Sequence, residues 1–191
     1  MTIDLLNPNK DDLLKKWEKE LDAVEKFNPW DTKEELAWWA EYASTRNTIL
    51  ELGSYRGAST KIMCLANPSA KITVIDLWED DNTHEEFLVN LAPELSDKQV
   101  VFTRDTTWRG LERLMHLGQN NFDGCMIDAG HTEELVVGDI ERCIPLMLPG
   151  TLICGHDHHE AWHDNGVSKA VNRIFPDRVL PCFSIWAAQL P

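Results

Sequence analysis

Up to about residue 46, apolar residues recur every three or four positions; from Asn47 onward they fall into short continuous runs separated by polar segments. The early region therefore predicts helices. Over residues 11–27, Leu13, Leu14, Trp17, Leu21 and Val24 keep the spacing of one helical face. Asn28-Pro29 ends that pattern, because the residue before a proline is pushed out of the α region. A second helix is predicted from Thr32-Lys33-Glu34-Glu35, where a hydroxyl is followed three positions later by a Glu that answers it across the first turn. Its apolar positions are Leu36, Trp39, Ala40 and Ala43. Trp17, Trp30, Trp38 and Trp39 read as packing onto the rest of the molecule, with a lid over an acceptor site as the alternative.

The later runs, at residues 48–52, 71–77, 99–103, 122–128 and 151–155, are short, mostly apolar and often β-branched, which predicts strands. Helical spacing follows each, at 59–66, 83–91, 108–117, 132–147 and 167–175. Continuous apolar strands alternating with helices predict an α/β fold, with a mainly parallel sheet covered on both faces. Residues 178–190 have the pattern of a closing hairpin. The expected organisation is a helical extension over residues 1–46, packed on a core domain of residues 47–191.

Composition narrows the class. At 191 residues, one substantial core is affordable and two would be small. No run of eighteen apolar residues is present, and the N-terminus lacks the basic start and apolar stretch of an export signal, so no membrane and a cytoplasmic location are expected. Cys64, Cys125, Cys143, Cys154 and Cys182 are odd in number and lie mostly in apolar runs, which favours buried thiols over disulfides or zinc. A net charge of -14 would repel a phosphate backbone, so nucleic acid is not an expected partner. A homo-oligomer is compatible with the sequence.

Ligands of open parallel sheets bind beyond the carboxyl ends of the strands, so the residues after each strand carry the candidate chemistry. After the first strand, Gly53-Ser54-Tyr55-Arg56-Gly57-Ala58-Ser59 places glycines at a turn and at a helix entrance, where a missing side chain admits a ligand to the backbone. Free amides at the helix start suit an anionic group such as an amino-acid carboxylate. GxGxxG is absent and no Lys follows Gly57, so neither a dinucleotide nor a phosphate loop is indicated. A tight turn without a ligand would show the same glycines. Asp76, ending VIDLW roughly twenty residues on, stands where a carboxylate accepts hydrogen bonds from ribose hydroxyls. Gly53, Ser54, Gly57, Ser59 and Asp76 are thus the expected nucleoside contacts. Asp105 is a candidate for the adenine amine or, equally, a helix cap.

The fourth strand and its loop read FDGCMIDAGHTEE, and the fifth TLICGHDHHEAWHD. Neighbouring strands lie roughly 4.8 Å apart, so Asp128 and Asp157 at their ends would approach one point. Carboxylates so close repel unless a proton or cation lies between them, and oxygen ligands suit Mg²⁺ or Mn²⁺. Asp128, Asp157 and His156 are the expected metal ligands. His131 stands beside them as a candidate general base, with Asp128 as its catalytic partner. His159 and His163 read as exposed loop residues.

The combination resembles the class I S-adenosylmethionine-dependent methyltransferases, particularly the small group of macrocin-type O-methyltransferases and cephalosporin-hydroxylase-like proteins. The stretches that carry it are ELGSYRGAST, ITVIDLW, FDGCMIDAGHTEELVVGDIERCIPLMLPGTLICGHD and GVSKAVNRIF. The resemblance implies a Rossmann-like, seven-stranded sheet, cofactor contacts from Gly53, Ser54, Gly57 and Asp76, a metal near Asp128 and Asp157, and His131 as base. The family loop usually reads Asp-Gly-x-His, where this chain has Ala129. Metal-binding relatives often carry a carboxylate where His156 stands. The expected reaction is in-line methyl transfer to a small-molecule hydroxyl, which needs alignment more than covalent help. A metal-dependent hydroxylase and a non-catalytic nucleoside-binding module are the alternatives.

Overall fold

The computed structural model describes residues 4–24, 26–27, 30–158 and 162–191. The helix stop read at Asn28-Pro29 and the loop residue His159 lie outside those residues, as does the side chain of His163.

Strands β1 (Thr48–Leu52), β2 (Lys71–Asp76), β3 (Val100–Arg104), β4 (Phe122–Ile127), β5 (Met147–Gly155), β6 (Val179–Cys182) and β7 (Ile185–Gln189) form one seven-stranded sheet. Its order is β3-β2-β1-β4-β5-β7-β6. The first five strands are parallel; β7 lies antiparallel to β5 and pairs with β6 as the expected closing hairpin. Strand order reverses between β1 and β4, which opens a crevice at their carboxyl ends.

Side chains alternate along each strand and feed two cores. Ile49 joins Leu13 of α1 (Lys10–Val24), Trp39 of α2 (Lys33–Ala43) and Ile62 of α3 (Ala58–Ala66) on one face. Leu50 and Leu52 join Leu111 of α6 (Thr107–His116), Ile140 of α7 (Glu133–Cys143) and Val171 of α8 (Gly166–Ile174) on the other. Between α3 and α6 the chain forms α4 (Asp81–Asn90) and a short α5 (Ala92–Ser96), the second too brief to show a period in sequence. The helix expected over residues 132–147 stops at Cys143, and a 3₁₀ turn over Ile144–Leu146 leads into β5. Pro145 explains the break, since it has no amide to donate within a helix.

The N-terminal helices are bound into the sheet. Trp38, Trp39 and Tyr42 of α2 are fully buried. The Tyr42 hydroxyl donates to the Leu152 carbonyl at 2.7 Å and accepts the Cys125 amide at 2.7 Å, so a phenol is pinned between β4 and β5. Trp17 of α1 is also buried and donates to Glu41 of α2. Packing is therefore the role of Trp17, Trp38 and Trp39, whereas Trp30 is exposed at the mouth of a cavity.

Candidate active site

The turn after β1 is held by its neighbours on both sides. Gly53 has φ +80°, and a Cβ there would lie 1.9 Å from the Asp128 carbonyl oxygen. Gly57 has φ +87°, and its Cβ would lie 2.3 Å from Leu91 Cδ2. These positions were expected to admit a ligand; the atoms that exclude a side chain there belong to the chain itself. Asp76 fastens the same turn. Its Oδ2 accepts the Ser54 amide at 2.7 Å and the Tyr55 amide at 2.9 Å, and its Oδ1 accepts the Trp78 amide at 2.8 Å.

Behind the turn lies Glu51, which the sequence reading missed although an acid inside the apolar strand TILEL is itself a signal. It is fully buried and accepts Ser59 Oγ at 2.5 Å and Thr60 Oγ1 at 2.6 Å. Burial pushes its carboxyl up to about 8, against the two hydroxyl bonds and with help from the Asp128 and Asp76 charges. Glu51 is therefore a neutral acid at pH 7.

The crevice is a cavity of about 790 Å³. Gly53, Ser54, Ser59 and Asp76 line one side; Asp128, His131, His156 and Asp157 line the other. Gly57 and Asp105 are not among the lining residues. Asp105 is not the cap of α6 either: Thr106 is, its hydroxyl accepting the Arg109 amide, while Asp105 accepts the Thr106 amide. Thr106 and Thr107 take its place in the lining, and Thr107 donates to Asp139, whose carboxyl burial raises to about 6.

Opposite the turn, charges alternate along a chain of side chains. Glu35, the fourth residue of the predicted capping box, does close that box: its Oε2 accepts the Thr32 amide and hydroxyl, each at 2.9 Å. Its Oε1 reaches across the fold to accept Ser184 Oγ at 2.7 Å and His156 Nε2 at 3.0 Å. The other ring nitrogen of His156 lies 3.2 Å from Asp157 Oδ1, and Asp157 Oδ2 accepts His131 Nε2 at 2.8 Å. Burial alone would lower His156; the hydrogen bonds to Asp157 and Glu35 outweigh it and push the ring up to about 12. Burial likewise works against ionised Glu35, yet His156 and Ser184 hold it at about 2. Asp157, flanked by two imidazoliums, falls well below the usual carboxylate range despite its burial.

This arrangement changes two expectations. His156 sets both ring nitrogens against carboxylates and groups with Asp31 and Glu35 as possible ligands, while the set around Asp128 and Asp157 is completed by His131. His131, expected as a base, is pushed up to about 10 by Asp128 and Asp157 against its burial. Asp157 is the nearer of the two carboxylates, since Asp128 Oδ1 lies 3.9 Å away. With no ion between them, the two carboxylates favour the protonated ring over the free base. Positive charge between Asp128 and Asp157, anticipated as a metal, is supplied in this arrangement by imidazolium. His158 is buried, bonds Asn172 and is not among the lining residues.

Four non-glycine residues with positive φ, Tyr55 (49°), Trp78 (38°), Asp157 (59°) and Phe183 (39°), all line the cavity. Such conformations cost of order 1–3 kcal/mol each and concentrate at functional sites. Asp31, Glu35, Phe183 and Ser184 were not singled out as site residues, and Trp30 only under the alternative of an acceptor-site lid. Glu35 was accounted for by the capping box, Asp31 lies in the link between the two helices, and Phe183 and Ser184 belong to a hairpin turn that only tertiary packing brings to the cavity.

A parallel sheet of this order, with a glycine turn, a strand-end acid and a charged cluster around one cavity, has the Rossmann-like architecture of methyltransferases. The family described as "Methyltransferase domain" matches residues 50–158, more than half of the chain, and the chain belongs to it. Among solved structures, an O-methyltransferase from Bacillus cereus in complex with SAH is similar at 14% identity and a TM-score of 0.69, over 96% of this chain and 92% of that one. The O-methyltransferase TomG from Streptomyces achromogenes, involved in tomaymycin synthesis and bound to SAM, is similar at 16% identity and a TM-score of 0.67, over 95% and 91% of the two chains. At these identities the likeness shows the fold. No curated protein matches the chain.

Proposed function

We propose that this methyltransferase uses S-adenosylmethionine to methylate the hydroxyl of a small molecule, with the cofactor against the Gly53–Ser54 turn and the acceptor against Asp128, His131 and Asp157. The observation that carries the reading is that the turn, the Asp76 carboxylate and the charged cluster open into one cavity of about 790 Å³, large enough for two ligands side by side. A ribose hydroxyl would add to Asp76 Oδ1, which accepts one amide and keeps a lone pair, whereas Oδ2 already accepts two. The Bacillus and Streptomyces neighbours, complexed with SAH and SAM, support the choice of cofactor.

Transfer to oxygen forms a C–O bond as the C–S bond breaks, and the hydroxyl proton must leave. Asp157 is saturated by two imidazoliums, whereas Asp128 Oδ1 lies 3.9 and 4.0 Å from the same two rings. Asp128 is therefore the freer carboxylate and takes the proton, while His131 and Asp157 hold it in place. Asp128, His131 and Asp157 offer three ligating atoms within 4.8 Å of one another, and a hard divalent ion bound there would have to displace the proton of His131. Mg²⁺ or Mn²⁺ there would supply charge that lowers the hydroxyl pKa.

The described residues include no helix long and apolar enough to cross a membrane. Five free, buried cysteines suit a reducing, cytoplasmic setting. Calorimetric titration with S-adenosylmethionine and S-adenosylhomocysteine, with and without Mg²⁺, tests the reading. Saturable binding of both is expected, and binding of neither would overturn it.

A further inference from the structure

The acceptor side of the cavity has a chemical bias of its own. Its ionisable lining is acidic, with Asp31, Glu35, Asp128, Asp139 and Asp157 among its members, and His131 and His156 are each already paired with these carboxylates. No lysine or arginine lines the cavity among the described residues. With a net charge of -14 around it, an acceptor carrying a carboxylate or phosphate would enter against the field and meet only imidazole rings already engaged by the protein's own carboxylates.

Large apolar side chains stand at the same mouth. Trp30 is 65% exposed, Phe183 66% and Leu135 54%, and all three line the cavity. The segments bearing the two aromatic residues are brought together by hydrogen bonds through their neighbours. Glu35, five residues after Trp30, accepts both the amide and the hydroxyl of Ser184, the residue after Phe183. Phe183 also occupies the two-residue turn between Cys182 and Ile185 at φ +39°, a conformation that glycine or asparagine adopts at lower cost. A bulky ring kept in water in a strained turn is explained by what it touches when the site is filled.

We propose that the acceptor is an aromatic hydroxyl compound, uncharged or carrying an amine, whose ring lies against Trp30 and Phe183 while its hydroxyl reaches Asp128. Ring stacking and the apolar edge of Leu135 hold the body of the molecule, and an ammonium group gains from both the aromatic faces and the acidic lining. This inference rests on the methyl-transfer reading of the same cavity.

The test uses three phenols that differ only in the tail: tyramine, 4-ethylphenol and 4-hydroxyphenylacetate. Each is titrated into the protein saturated with S-adenosylhomocysteine. Tyramine and 4-ethylphenol are expected to bind at least about tenfold more tightly than the carboxylate, because like charges are brought together in the last case only. Trp30→Ala and Phe183→Ala should each weaken 4-ethylphenol about fivefold or more and leave S-adenosylhomocysteine affinity unchanged. Phe183→Gly should weaken it similarly while its melting temperature holds or rises, since glycine relieves the turn; a residue with only a structural role would do the opposite. Tightest binding by the carboxylate, no binding of any phenol, or unchanged phenol affinity in the aromatic variants would overturn the proposal. Failure to bind S-adenosylhomocysteine itself would overturn the cofactor reading and this proposal with it.

Discussion

The two sides of the cavity are built by different means. On the cofactor side a single carboxylate, Asp76, gathers three backbone amides from a turn 21 and 22 residues away and from its own strand end. On the acceptor side the groups are side chains of alternating charge, Glu35, His156, Asp157 and His131, drawn from α2, the end of β5 and the loop after β4. Backbone amides change little when side chains are substituted, so the first side is a rigid cradle that tolerates changes around it. The second is a set of interlocked charges in which removing one member leaves another buried without its partner. The cradle is therefore suited to a cofactor common to many enzymes, and the interlocked set to holding one acceptor geometry.

Substitutions separate the two sides, the largest effect being expected at the proton acceptor. Asp128→Asn should lower kcat by about 10²- to 10⁴-fold with cofactor affinity retained, read by steady-state kinetics beside calorimetry. A matched loss of cofactor binding would show that the two sides are not separable. Glu35→Ala comes next: it leaves His156 charged against a single carboxylate and should cost about 3–5 kcal/mol of stability. It also unties Ser184 and the capping box, so a melting experiment should show the loss, and Glu35→Gln should recover part of it. The same residue sets an acid limit. Its folded value, about 2, lies below the ordinary 4.5, so its stabilisation is complete above about pH 5 and is lost as pH falls toward 2. The alanine variant should lack that portion of the acid transition. Asp76→Ala is expected to be the mildest, weakening cofactor binding about ten- to a hundredfold, the range of one to two charge-assisted hydrogen bonds. Equal affinity in wild type and variant would remove Asp76 from the cofactor site.

Much of the cofactor side was legible in the order of residues because it is nearly local. β1, the turn and α3 are contiguous, and Asp76 ends the next strand, so apolar runs, two glycines and one acid define the unit. The structure adds a further reason for the glycines: a Cβ at Gly53 would meet the Asp128 carbonyl and one at Gly57 the Leu91 side chain. Asp105 illustrates another limit, since a one-residue shift in a helix start moved the cap to Thr106 and the lining to Thr106 and Thr107. On the acceptor side the sequence named Asp128, His131, His156 and Asp157 correctly as neighbours. It did not give the hydrogen bond from His156 to Glu35, 121 residues away, which helps hold that ring protonated.

The amino-acid sequence by itself determined the alternation of strand and helix, the helical start of the chain, the closing hairpin and the identity of the strand ends that carry chemistry. These follow from periodicities of two and 3.6 and from turn residues, which act over a few positions. Tertiary structure alone decided that an N-terminal capping glutamate would become the counter-ion of a strand-end histidine, that Trp30 and Phe183 would share one cavity, and that His131 would be charged. The first two depend on distances between segments more than a hundred residues apart, the third on the meeting of two strand-end loops, and all on the burial that packing creates there. Charge and hydrogen-bond energies respond to distance and burial far more steeply than any local pattern records.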